Sequence, residues 1–459
     1  MTAMQTLQPS ASFPSDQAQL RKAVAAASQG SFTLRNVRLH DSVTYPPLGV
    51  DAPDDFALAD VRICDRRIET ISPAGATEAG AETASIDAGR RVMIPNFVDC
   101  HTHIDKAQIL GRAEPADGTF AGAAASMRKD REAHWTAEDV HARMDFALRS
   151  AFHHGTRALR THIDSHPPQD GISWPVLARI RQEWQGRIEI QGSSLFPVQM
   201  VRDRDFLDRV VTHVKAADGV LGAAVYPDPE IDHCLDVIIQ TADRHGLDLD
   251  FHADETADPA SDVLRHVADA VLRNGYQGNV LVGHCCSLAV QDEATADETL
   301  DAVAAAGLAI VSLPACNLYL QDRRTDGTTP RWRGVTLLHE MRRRGISVSL
   351  ASDNTRDSFH AYGDLDMLDA FRLGTRIAHL DHPSGDWIAS VTTDPARAMG
   401  MDQTGTLKAG CGADFILFEG RSWSEILSRS ESDRIVVRDG APLDTTLPAY
   451  AELDGLAHA

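Results

Sequence analysis

Five short segments of this 459-residue chain hold side chains suited to chemistry. They are His101-Thr102-His103, His162-Ile163-Asp164, His252-Ala253-Asp254-Glu255, His284 and Asp353. Residues two apart on a strand face the same side, so His101 and His103 can offer both imidazoles to one ion. Imidazole together with carboxylate suits Zn2+ or Fe2+, and three or four protein ligands leave a position open for water. With 20 histidines in the chain, an H-x-H pair alone arises by chance. Its company makes it a candidate, because His252, His284 and Asp353 each close a further apolar run. A cation held there brings the pKa of bound water from about 15.7 towards 7. Glu255, three residues after His252, is placed to shuttle protons, and the competing reading is a helix-start acid beside Asp254. His284 would orient the attacking water or steady developing negative charge.

Such scattered residues meet only if the elements between them converge. Eight short apolar runs are followed by helically spaced stretches: MIPNFVDCH, ALRTHID, IEIQGSSLF, GVLGAAVYP, LDLDFHAD, NVLVGHC, LAIVSLP and SVSLASD. Near-continuous hydrophobicity is what parallel strands buried on both faces require. Eight such units, with no glycine-rich phosphate loop after an early strand, predict an α/β fold, a closed (β/α)8 TIM barrel over residues 95–404. The candidate residues all lie at run ends, the mouth where such barrels place catalysis. Alternating, turn-broken segments such as FTLRNVRLH and GCGADFILFEG predict a small β-sandwich assembled from both chain ends, residues 31–94 plus 405–450. Residues 1–30 read as a polar leader with a helical patch over 17–27.

Composition narrows the class. Lys and Arg total 44 against 66 Asp and Glu, a net charge of −22, which argues against nucleic acid as a partner. The run Arg342–Arg344 reads as the solvated end of a helix. Seven cysteines without C-x-x-C spacing argue against a disulfide framework and for a reducing, cytoplasmic setting. The first 30 residues lack a signal-peptide core, and no apolar run reaches the about 18 residues a membrane span needs. Self-association into a homo-oligomer stays open.

In this order, these residues resemble the amidohydrolase superfamily. IPNFVDCHTHIDK is similar to its first-strand motif, and GTLKAGCGADFILFEG to its return into the β domain. Within it, HTHID at 101–105, RTHID at 160–164, HADE at 252–255 and NLYLQDR at 317–323 resemble cytosine deaminases. The resemblance covers residues 32–440 and implies one divalent ion, Zn2+ or Fe2+, on His101, His103, His252 and Asp353. It also implies that Glu255 protonates the ring nitrogen beside the amino-bearing carbon, that metal-activated water attacks that carbon, and that His284 and Asp353 handle charge and proton. The implied reaction is hydrolytic deamination of a small amino-substituted N-heterocycle, cytosine or a close analogue, with release of ammonia. Gln199 would read the pyrimidine edge, though it stands one residue off relative to Phe196-Pro197; Asn354, His162 and Asp164 complete the expected substrate contacts. Asn354 replaces the second aspartate of cytosine deaminases, and S-D-N-x-R-D also resembles N-isopropylammelide amidohydrolases, which act on a substituted triazine but lack the HADE glutamate. Glu255 therefore favours deamination, leaving triazine, purine or pterin chemistry and an inactive metal-binding relative as alternatives. Dinuclear members bridge two metals with a strand-four lysine; GVLGAAVYP has none, the nearest being Lys215, and Lys106 reads as structural or substrate-facing. The loops 115–127 and 355–367 would set pocket size, with Phe359, His360 and Tyr362 either stacking on a ring or packing a loop.

Overall fold

The computed structural model describes residues 17–49, 56–76, 84–113, 117–324, 326–381, 386–429 and 433–457. Eight parallel strands form the centre: β1 (Phe97–Thr102), β2 (Thr156–Asp164), β3 (Glu189–Leu195), β4 (Leu221–Val225), β5 (Leu249–Ala253), β6 (Val280–His284), β7 (Ala309–Ser312) and β8 (Val348–Leu350). β1 to β3 pair in sequence order, as do β4 to β8. Bridges Ser193–Val220 and Pro197–Ala224 join β3 to β4. The other seam closes where Thr102 bridges Asp353, whose amide donates to the His101 carbonyl at 3.0 Å. The ring is therefore closed, a TIM-barrel-type α/β fold.

Helices fill the crossovers, and their ends are written in the sequence. Thr136, Asp203 and Asp292 accept from the amide three residues on, capping the helices that begin at Ala137, Arg204 and Glu293. Gly155, at φ 98°, ends the helix Ala137–His154, and an added Cβ there would lie 2.8 Å from Ile416.

The first apolar run divides. Met93–Pro95 leaves the barrel and pairs antiparallel with Phe415–Phe418, and only Phe97–Thr102 continues into it. Outside the barrel, one sheet runs Arg67–Pro73, Phe56–Cys64, Phe32–His40, Ala84–Asp87, and another Ala441–Pro442, Arg434–Arg438, Phe415–Phe418, Met93–Pro95. Phe32, Val61, Met93, Phe415 and Val437 share an apolar cluster separate from the barrel's, so both chain ends feed one core. The helical patch is present as Gln17–Ala27, whereas residues 1–16 of the leader lie outside the described residues. Most of the expected loop 115–127 is helical from Phe120 onwards. Among the described residues no helix is long and apolar enough to cross a membrane.

Arg434 fastens the outer sheet to the barrel. It forms a bidentate pair with Asp366 at 2.9 and 2.6 Å and reaches His154 Nδ1 at 2.8 Å. Burial alone would raise the Asp366 carboxyl; Arg434 and His154 outweigh it and pull it from 3.8 to about 2. A depressed pKa stabilises the fold above the unfolded value and loses that contribution as pH falls through the folded one. Asp366→Asn should therefore cost about 2 kcal/mol near neutral pH. In denaturant titrations the difference from wild type should narrow below pH 3.8 and close near pH 2; a difference independent of pH would contradict the assignment.

Candidate metal centre and active site

The strand ends deliver the side chains by unusual backbone turns. Asp254, His284, Cys285 and Asp353 have φ of 55°, 72°, 52° and 60°, left-handed values uncommon outside glycine. Cross-links hold them: the Cys285 amide donates to Ala253, and those of Cys286 and Ser287 to the Asp254 carbonyl, tying β5 to β6. Asp254 takes the helix-start role considered for Glu255. Its carboxylate accepts from Ser261 Oγ at 2.7 Å and from the amides of Val263 and Leu264. Glu255 is thereby released into the cavity.

His101, His103, His252 and Asp353 converge. The Asp353 Oδ1 lies 3.2 Å from His103 Nε2 and 3.6 Å from His101 Nε2, and the Nε2 atoms of His103 and His252 are 3.3 Å apart. Ligand atoms of His101, His103, His162 and His252 lie within 4.8 Å of one another, as do those of His101, His284 and Asp353. Both Asp353 oxygens and both His101 nitrogens are buried without a hydrogen-bond partner. Burial, then neighbouring imidazoles, holds His101 and His252 well below the ordinary histidine pKa; at His103, burial and Lys106 do the same. Neutral imidazoles around an unsatisfied carboxylate are the donor set a divalent cation needs, so the residues fit such an ion. Gly283 makes room for the His101 ring, because a Cβ there would sit 2.9 Å from it.

His284 stands beside the cluster. Asn317 Nδ2 lies 3.0 Å from His284 Nδ1 and 3.5 Å from Glu255 Oε1. An amide nitrogen only donates, so Nδ1 accepts and the ring proton resides on Nε2, which has no protein partner. Burial, His162 and Lys106 lower the His284 pKa to about 3, keeping the ring neutral. Glu255 moves the other way: burial and Asp353 raise its carboxyl well above 4.5, with Lys106 opposing. Gln321 Nε2 fixes its backbone carbonyl at 3.2 Å.

A cavity of about 840 Å³ opens above these groups. His103, His252, Glu255, His284, Asn354 and Asp164 line it. Asp164 is paired with Lys106 at 3.7 Å and Arg131 at 2.9 Å. Two expected substrate contacts are not brought to the cavity wall. Gln199 sits in the turn Val198–Arg202 after β3 and reaches the Tyr226 carbonyl at 3.5 Å instead. His162 is fully buried among the metal-site imidazoles, its Nε2 3.1 Å from Asp250, which also binds Arg160 at 2.8 Å. Of the three aromatic residues after β8, only Phe359 lines the cavity. His360 is buried against the Asn354 carbonyl, and Tyr362 is 67% exposed. Asn317, Gln321 and Asp357 had no assigned role; the i, i+4 spacing of Asn317 and Gln321 on one helical face was the available signal.

The amidohydrolase family model matches residues 198–444. A pterin deaminase of Rhizobium rhizogenes strain K84 is 49% identical over 409 residues, spanning 89% of this chain and 93% of that protein. The N-isopropylammelide isopropyl amidohydrolase of Pseudomonas sp. strain ADP is 23% identical over 378 residues, spanning 78% and 89%. Among solved structures, a 5-methylcytosine deaminase from Klebsiella pneumoniae liganded with 5-fluorocytosine superposes with a TM-score of 0.77 at 24% identity, covering 90% of this chain and 98% of that one. On this match and this similarity, the chain belongs to the amidohydrolase family.

Proposed function

We propose that the protein is a metal-dependent hydrolytic deaminase of an amino-substituted N-heterocycle, and that the ring is a pterin. The observation that carries the reaction is the Glu255 carboxyl, its pKa raised by burial, 3.4 Å from Nδ1 of a neutral His284 at the edge of the Asp353–imidazole cluster. The choice of ring rests on the 49% identity to a pterin deaminase and on a cavity of about 840 Å³, roomy for two fused rings and a substituent. Cytosine is the second reading, favoured by the fold shared with the 5-methylcytosine deaminase.

His101, His103, His252 and Asp353 would hold one divalent ion, Zn2+ or Fe2+, whose Lewis acidity brings the pKa of water towards 7 when bound. Glu255 gives its proton to the ring nitrogen beside the amino-bearing carbon, making that carbon more electrophilic. His284 donates from Nε2 to the developing negative charge. Water adds to the carbon and passes one proton to the Glu255 carboxylate, which hands it to the departing amine; loss of the second water proton to Glu255 then leaves a ring carbonyl, ammonia and the carboxyl restored. Phe359 and the Lys106–Asp164–Arg131 group bound the bay in which the ring sits. Residues 31–94 with 405–450 form the supporting β unit and 95–404 the catalytic one. Seven free cysteines support a cytoplasmic setting.

Amine release (ammonia from pterin or cytosine, isopropylamine from N-isopropylammelide) should rank pterin above the other two by about tenfold or more in kcat/KM, a gap of about 1.4 kcal/mol. Cytosine in first place would replace the ring, and no turnover with any amino-heterocycle would end the reading. Glu255→Gln should lower kcat by about 10²-fold or more with metal content unchanged by elemental analysis; near-normal turnover would remove the shuttle role. Asp353→Ala should lose both metal and activity, and an active metal-free preparation would remove the centre altogether.

A further inference from the structure

Asn354 follows Asp353 and lines the cavity, yet its amide is not free to choose what it offers. Its Nδ2 donates to Asp357 Oδ2 at 2.6 Å. The other Asp357 oxygen is taken by the backbone amides of Phe359 at 2.8 Å and His360 at 3.1 Å. Asp357 is fully buried, so this carboxylate has nowhere else to turn. Rotating the Asn354 amide would set oxygen against oxygen, since an ionised carboxylate only accepts. The backbone on either side is fixed too, with His360 Nδ1 3.0 Å from the Asn354 carbonyl. What remains of Asn354 is the second Nδ2 proton and Oδ1, the latter met within the protein by the Cys316 thiol at 3.7 Å, a weak donor that leaves most of its accepting capacity unused.

We propose that Asp357 is a positioning residue that locks the Asn354 amide with Oδ1 towards the cavity, so that the site reads an N–H on the substrate ring. With Nδ2 turned to Asp357, Oδ1 is the end of the amide held ready to accept from a ring donor. A ring edge offering N–H groups next to the reacting carbon, as a 2-amino-4-oxopteridine does, is the class of substrate it selects. This rests on the amino-heterocycle reading above.

The test uses the full-length, metal-loaded protein at pH 8, with two readouts. Selective 15N-asparagine labelling shows the Asn354 side-chain amide, assigned by its loss in Asn354→Asp. One Nδ2 proton should lie well downfield and exchange slowly, and both features should vanish in Asp357→Ala; an amide signal indifferent to that change overturns the lock. In the second readout, Asp357→Asn should raise KM about tenfold with a smaller change in kcat, the size expected for one hydrogen bond. The exchanged double variant Asn354→Asp/Asp357→Asn restores an amide-to-carboxylate pair with an acceptor facing the cavity, and should bring KM back towards wild type. A double variant as impaired as Asn354→Ala overturns the proposal. If Asp357→Asn cannot hold its metal, the double variant is judged by both readouts. Wild-type protein inactive on every amino-heterocycle would defeat the proposed function, while the amide signal would still decide the lock.

Discussion

A buried carboxylate whose two oxygens meet no donor is an expensive thing to build into a protein interior, and Asp353 is one. Its nearest neighbours are imidazoles that burial keeps uncharged, so they cannot neutralise it. A cation relieves both problems at once, supplying charge for Asp353 and a Lewis acid for the free nitrogen lone pairs. The barrel makes this possible. Residues 101 and 353 are neighbours because the last strand returns to the first, and the Asp353 amide closes that seam on the His101 carbonyl. Closure of the ring and assembly of the carboxylate–imidazole cluster are thus one structural event.

The mouth is aimed by backbone geometry as well as by side-chain type. Left-handed residues at Asp254, His284, Cys285 and Asp353 each carry a conformational cost of order 1–3 kcal/mol. Hydrogen bonds between the ends of β5 and β6, and the clamp of Asp254 on the following helix, hold these turns in place. The clamp also separates two adjacent acids by function. Asp254 gives its oxygens to Ser261 and two backbone amides, and Glu255, its carboxyl pushed up by burial, lines the cavity.

Strand ends were the legible part of the site. Hydrophobic run length and the placement of His101, His103, His252, His284 and Asp353 were enough to predict a barrel and the convergence of these side chains at its mouth, because strand period and barrel closure act on sequence directly. Direction off a strand end was not legible. Gln199 leaves β3 through a tight turn that carries it to the Tyr226 carbonyl, and spacing along the chain does not encode that turn. His162 shows the opposite case, on a strand as read but facing inward to Asp250 rather than up to a ligand. MIPNFVDCH is continuous in hydrophobicity while its two halves pair with different sheets, because apolar character is common to both environments. Asp357 was silent for a different reason: its partner lies three residues away in a loop without a period.

The outer apolar cluster has a consequence for biogenesis. Met93–Pro95 ends at residue 95, and its antiparallel partner begins at Phe415. At ordinary ribosome speeds the intervening chain takes roughly 16 to 64 s to emerge. Throughout that interval Phe32, Val61 and Met93 await the Phe415 and Val437 side chains that complete their packing. The nascent chain therefore presents a sticky, unfinished sheet for most of its synthesis, which makes it a natural client for chaperones and makes premature termination before residue 415 a source of aggregate rather than of a smaller enzyme.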